Sequence, residues 1–213
     1  RSYTLKYLNV KGLSEPIRFI FAYADVPFND VRIEKEDLLK IKKDLPFGQV
    51  PVLETEDFIL TQSTAIARYL GKAFGLVPTD DLKNAQLDAL VAHMVDLVMI
   101  QTRVKKISIK KDHLFQVTPH LYLLSHILIF LNLKPILCLQ ASWVDVYFVG
   151  FIDNMETKLK KDLLVSYPHL NQIRQKVQQK SSVQKYLEKR PRPPSPRPCS
   201  CTRSFPLNGP SHR

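Results

Sequence analysis

The run FGQVPVLETEDFILTQS, residues 47–63, carries two dipeptides with complementary chemistry. Pro51 stands between two valines at the head of an apolar strand, where a proline removes a ladder donor. An X–Pro bond reaches the cis form at modest cost, and an ordered cis-proline is a locked turn feature. Held cis, Pro51 would turn the N–H and C=O of Val50 outward, offering one donor and one acceptor to a peptide-like ligand. Gln62-Ser63 stands where the next helix begins. The unpaired N–H groups and positive dipole end of a helix start form an anion site, and Ser63 can add a hydroxyl. Together the two pairs describe a site for a small peptide with a carboxylate at one end.

The elements that must position these residues follow from the hydrophobic pattern. Tyr3–Leu8 alternates as a strand. Gly12 breaks the following loop, Ser14 is a candidate N-cap, and Pro16 falls in a first helical turn where its missing donor costs nothing. The pattern predicts a buried helix over Ile17–Ala24, a strand over Phe28–Ile33 and a polar helical stretch over Lys35–Leu45. VPVLE and FILT pair across the acidic turn at Glu56-Asp57. Ser63–Gly75 follows as an amphipathic helix capped by Ser63, with Ala65, Ile66, Tyr69, Leu70 and Phe74 on its apolar face. A βαβ unit needs a parallel pair and a tight turn an antiparallel one, so the predicted sheet is mixed. Beyond the linker VPTDDLKNAQ the periodicity is helical: one stripe of Leu87, Leu90, Val91, Met94, Leu97 and Val98, then helices over Ala141–Met155 and His169–Lys189. Ser142 and Asp145 hold capping-box positions. The fold class is therefore α/β followed by all-α: residues 1–76, order βαβαββα, then 77–190, with a disordered Pro/Arg-rich tail over 191–213.

Charge narrows the function. The formal net charge is +11, yet residues 1–76 carry eleven Lys/Arg against ten Asp/Glu. The excess gathers around Arg103–Lys111 and after Glu188, local clusters rather than a basic face, which disfavours nucleic acid as a partner. Three cysteines, at 138, 199 and 201, make no disulfide framework and fit a reducing, cytoplasmic compartment. No charged-then-apolar leader precedes the first strand, so no secretory signal is expected. Leu121–Leu139 is apolar but broken by His126, Asn132, Lys134 and Pro135, shorter than a membrane span and read as a buried helix. The six histidines show no metal-ligand spacing.

On YTLKYLNVKGLSEPIRFIFAYA, LPFGQVPVLE, LTQSTAIARYLGKAFGL and ASWVDVYFVGFIDNM the chain resembles the glutathione transferases, and within them the sigma class, which includes glutathione-dependent prostaglandin D synthases and S-crystallins. The resemblance covers residues 3 to about 103 and resumes near Ala141 as far as Pro191. It implies a thioredoxin-like N-terminal domain, a helical C-terminal domain, a homodimer, and glutathione as cosubstrate. Tyr7 matches the catalytic tyrosine, whose hydroxyl favours the glutathione thiolate, the nucleophilic form. Lys42 matches the lysine that pairs with the glycyl carboxylate. Gly48, Gln49, Val50 and Pro51 match the segment that contacts the cysteinyl moiety, and Gln62 and Ser63 the pair that holds the γ-glutamyl carboxylate. Asp96 matches an acidic residue that reaches the partner subunit's glutathione.

Some positions depart from the family's pattern. Leu13 replaces an arginine that would assist the thiolate by charge, and Leu38 a tryptophan at the glycyl end. Residues 107–140 lack glycine and do not resemble the class, and the tail after Pro191 is equally foreign. The activity implied is thiolate attack on an electrophile, or isomerisation of a prostaglandin-like endoperoxide. The alternative is a non-catalytic S-crystallin-like or damaged homologue. A third class, an interaction module using the basic tail with its RPRPPSP run, ranks below both.

Overall fold

The computed structural model describes residues 1–107, with side chains at all but 97 and 100–107, and residues 141–191. Leu121–Leu139, the rest of the atypical segment and residues 192–213 lie outside that range. Four strands and seven helices are described: β1 Thr4–Leu8, α1 Glu15–Ala24, β2 Asn29–Ile33, α2 Lys35–Ile41, β3 Val52–Glu54, β4 Ile59–Thr61, α3 Ser63–Ala73, α4 Asp81–Ile107, α5 Trp143–Leu159, α6 Pro168–Gln178 and α7 Ser181–Lys189.

The sheet runs β2-β1-β3-β4. β1 pairs parallel with β2 and antiparallel with β3, which pairs antiparallel with β4. The expected mixed sheet is present. Its central strand buries Leu5 and Tyr7 on one face while Lys6 reaches Glu54 on the other at 2.6 Å. α1 is apolar almost all round, and Ile17, Phe19, Ile20 and Phe21 are fully buried. Each such side chain contributes about 1.5–3 kcal/mol on burial. α1 needs two covers, the sheet on one side and α5 on the other, and α5 supplies the second. Contact there is close: a Cβ on Gly150 of α5 would stand 2.7 Å from Pro16 Cα. The α4 stripe is buried at Leu87, Leu90, Val91, Met94 and Val98, as its spacing predicts.

Several local expectations are corrected. Ser14 occupies the cap position of α1, but its hydroxyl makes no capping bond, because the 3-10 turn Gly12–Ser14 leads into the helix and leaves Ser14 in helical φ/ψ. On α3 the buried alanine is Ala67, not Ala65, which faces outward. His169–Lys189 is two helices rather than one. Lys180 takes an extended backbone (φ −67°, ψ 127°), and its ammonium sits 4.4 Å from the Tyr23 ring centre. Ser142 and Asp145 form the expected capping box at the start of α5.

Candidate active site

Tyr7 lies one residue before the end of β1, opposite Arg32 in the β1–β2 register, and is 8% exposed. Its phenol oxygen accepts the backbone N–H of Leu13 at 3.1 Å. The turn that delivers this N–H needs a glycine for two reasons. Gly12 has φ +49°, and a Cβ there would lie 2.5 Å from the Tyr7 hydroxyl. Burial pushes the Tyr7 phenol up, while the Leu13 bond and the positive charge of Arg18 pull it part of the way back. Arg18 is fully buried with its guanidinium carbon 6.0 Å from the Tyr7 ring centre. Tyr7 therefore keeps its proton at neutral pH. A phenol that already accepts an N–H is polarised into a stronger donor through its own O–H. At position 13, leucine gives this support through its backbone, and its side chain packs on the core. The nearby positive charge comes from Arg18.

The Val50–Pro51 bond is cis, as the sequence suggests. Antiparallel pairing with β1 begins at Val52, so the Val50 peptide groups lie beyond the ladder. Gly48 has φ +60°, and a Cβ on it would stand 3.2 Å from Lys42 Cε, so the lysine stem crosses the turn that carries Gly48, Gln49, Val50 and Pro51. Lys42 and Gln49 are exposed; Pro51 is buried.

Ser63 does not cap α3. The sharp turn out of β4 forces Gln62 to φ +69°, ψ 116°, so Gln62 takes the cap position and Ser63 is already helical. A capping side chain works from an extended backbone, which neither residue has. No side-chain bond closes this helix start. The Ser63 hydroxyl instead faces the phenol of Tyr147 on α5, a fully buried tyrosine whose ionisation burial pushes far up and Ser63 pulls part of the way back. Asp96 is exposed on α4. It lines a cleft of about 370 Å³ with Thr64, Ala65, Arg68 and Trp143, beginning one residue beyond Ser63.

Sequence reasoning missed four further residues. Asn154 accepts the Gly12 N–H at 3.1 Å. Asp153 pairs with Lys11 at 2.6 Å and with Arg190 at 2.7 Å. Arg190 also reaches buried Glu15 at 2.6 Å. Tyr147 is the fourth. All four belong to the helical region, and their partners Gly12, Lys11, Glu15 and Ser63 lie more than eighty residues earlier in the chain, so no local spacing announces them.

A thioredoxin-like sheet domain with a helical second domain is the class that this fold and site define. Residues 3–72 match the family model for the glutathione S-transferase N-terminal domain, and residues 116–190 that for the C-terminal domain. The second match includes much of the segment that the sequence reading sets apart. The chain is 38% identical over 196 residues to a rat hematopoietic prostaglandin D synthase, covering 89% of this chain and 97% of that one. It is 32% identical over 199 residues to a glutathione S-transferase of Anopheles gambiae, with the same coverage of 89% and 97%. A solved structure of prostaglandin synthase D of Nilaparvata lugens superposes with TM-score 0.78 at 33% identity, covering 91% of this chain and 100% of that one. The chain belongs to the glutathione S-transferase family, enzymes that use glutathione as cosubstrate, and its relatives are sigma-class-like. They give no support to a lens-protein or damaged alternative.

Proposed function

We propose that this glutathione transferase activates its thiol through Tyr7. The observation that supports this reading is the Tyr7 phenol, held protonated by burial and polarised by the Leu13 N–H. In this reading Tyr7 donates to the glutathione sulfur and stabilises the thiolate for attack on an electrophile. Gln62, Ser63 and the open start of α3 take the γ-glutamyl carboxylate. Val50, beside cis-Pro51, pairs with the cysteinyl backbone, with Gly48 and Gln49 flanking it, and Lys42 faces the glycyl carboxylate. The Asp96 cleft on the α3–α4 face supports a homodimer in which Asp96 reaches the partner's glutathione. The domain boundary at 76/77 and a cytoplasmic location belong to the same reading. Among the described residues no helix is long and apolar enough to cross a membrane.

Likeness to prostaglandin D synthases at 33–38% identity favours a lipid endoperoxide among candidate substrates, isomerised with glutathione returned unchanged. The deciding experiment is Tyr7→Phe. Loss of one donor to a developing anion costs about 2–4 kcal/mol. The ultraviolet thiolate band of bound glutathione, followed against pH, is expected to shift up while glutathione affinity holds. An unchanged titration would remove Tyr7 from the mechanism.

A further inference from the structure

The loop Val10–Ser14 lies against the Tyr7 hydroxyl and is fastened mostly by residues from the other end of the chain. Asn154 Oδ1, 2% exposed, accepts the Gly12 N–H, the neighbour of the Leu13 N–H given to Tyr7. Lys11 Nζ reaches Asp153 at 2.6 Å and Thr157 Oγ1 at 2.7 Å. Arg190, the residue after α7, holds Asp153 with both terminal nitrogens, at 2.7 and 2.9 Å, and Glu15 at 2.6 Å. Glu15 is 1% exposed, and it also accepts the Tyr186 hydroxyl at 2.9 Å and faces Arg18 at 3.2 Å. Arg18 completes the ring by donating to the carbonyl of Val10 at 3.0 Å and by pairing with Asp30 of β2, which also holds Arg32. The Val10 carbonyl and the Gly12 N–H are thus held by side chains of α1 and α5. Tyr186 of α7 and Arg190 brace Glu15, which faces Arg18, and Arg190 braces Asp153, which holds Lys11.

We propose that Asn154 and the Asp153–Arg190 pair are positioning residues for catalysis: they press the Gly12-Leu13 turn onto the Tyr7 hydroxyl and so set how well Tyr7 stabilises the glutathione thiolate. This inference rests on the reading of Tyr7 given above. The geometry leaves little slack. No side chain fits at position 12 beside the Tyr7 hydroxyl, and the Asn154 bond ties the Gly12 N–H to α5. Asn154, 2% exposed, spends its amide oxygen on the loop N–H one residue before the N–H that Tyr7 accepts. The ion cluster is only partly exposed, so its pairs are screened far less than surface ones.

The test uses the full chain with four variants: Asn154→Ala, Arg190→Met, Arg190→Lys and the double variant Asp153→Asn with Arg190→Met. Two quantities are read: hydrogen exchange at the Leu13 amide, and the apparent pKa of bound glutathione from its thiolate band. In Asn154→Ala and Arg190→Met the Leu13 amide is expected to exchange at least about tenfold faster, with α1 core amides unchanged. The thiol titration is expected to move up by as much as about one unit, a tenfold change in proton affinity, while glutathione Kd stays within about twofold. Arg190→Lys restores part of both effects. Asn154→Ala changes no charge, so its shift separates positioning from the through-space field of Arg190. Should a single variant not fold, the double variant, which removes charge and counter-charge together, carries the same criterion. Folded variants with an unchanged thiol titration overturn the proposal, whatever the Leu13 amide does, provided that Tyr7→Phe itself shifts that titration. If Tyr7→Phe leaves the titration unmoved, the catalytic reading of Tyr7 fails on its own, and the fastening of the loop is then judged by the Leu13 amide alone.

Discussion

α3 and α5 begin in opposite ways. At α5, Ser142 N–H gives a 2.6 Å bond to Asp145, the Ser142 hydroxyl gives another at 2.8 Å, and the Asp145 N–H returns one to Ser142. The start is sealed, and Ser142 and Asp145 are both 3% exposed. At α3 the cap position holds Gln62 at positive φ, exposed and making no capping bond, and the Ser63 hydroxyl turns to Tyr147. One start satisfies its own donors and adds stability. The other leaves donors open, and the function proposed above assigns them a carboxylate. The starts of α1, α2, α6 and α7 also lack a side-chain capping bond; what sets α3 apart is that it follows β4, which pairs with the strand that Pro51 leads.

The largest effect that would sharpen this contrast is expected from Asp145→Ala. It strips two bonds from the α5 start and leaves the Ser142 N–H buried without a partner, a loss of about 3 kcal/mol. The urea midpoint should fall with an unchanged slope, and glutathione binding by the remaining folded protein should hold. Tyr147→Phe comes next, because that phenol links the two helices. Its folded-state pKa lies above the ordinary 10.0 owing to burial, which the Ser63 bond only partly offsets. The folded state thus keeps this proton longer than the unfolded chain does. That contribution is fully present below pH 10 and is lost as pH rises beyond it. A stability profile in Tyr147→Phe should decline less steeply above pH 10 than the native profile.

Ser63→Ala is expected to cost about 1–2 kcal/mol in stability, from the Tyr147 phenol left alone. It should also weaken glutathione binding roughly tenfold by calorimetry, the expected value of one hydrogen bond to a charged group. Equal glutathione affinity would break the contrast, since the open start would then have no ligand. The smallest effect belongs to Gln62→Gly. Relief of an unfavourable backbone is worth of order 1 kcal/mol and is offset by the freedom that glycine gains in the unfolded chain. Thermal stability should stay level or rise slightly while glutathione binding weakens.

What the sequence made legible was local. Pro51 ahead of β3, the Glu56-Asp57 turn, the Ser142–Asp145 box and the α4 stripe all depend on residues within a few positions of one another, and all appear in the structure. The misreadings share one cause. Ser63 looks like a cap until the turn from β4 forces Gln62 to positive φ. Ala65 and Ala67 exchange places because the apolar face of α3 is set by where α1 and α5 pack. The break at Lys180 answers to Tyr23, far away on α1. The same cause hid Tyr147 and the Asp153–Arg190 pair, whose partners Ser63, Lys11 and Glu15 come much earlier in the chain. For Tyr7, resemblance supplied a role, but the N–H and buried guanidinium that replace the missing arginine required coordinates.

The bond between Arg190 and Glu15 joins residues 175 positions apart. During synthesis the sheet and α1 leave the ribosome long before their fastening does. At about 5–20 residues per second, roughly ten to thirty-five seconds separate the two ends. Through that interval a nascent chain already holds Tyr7 and the loop beside its hydroxyl, but that loop has only its Arg18 anchor until Asn154, Asp153 and Arg190 are made. A newborn chain therefore completes this fastening only once Arg190 is made, and a chain cut short of Arg190 would leave Asp153 and Glu15 without that partner.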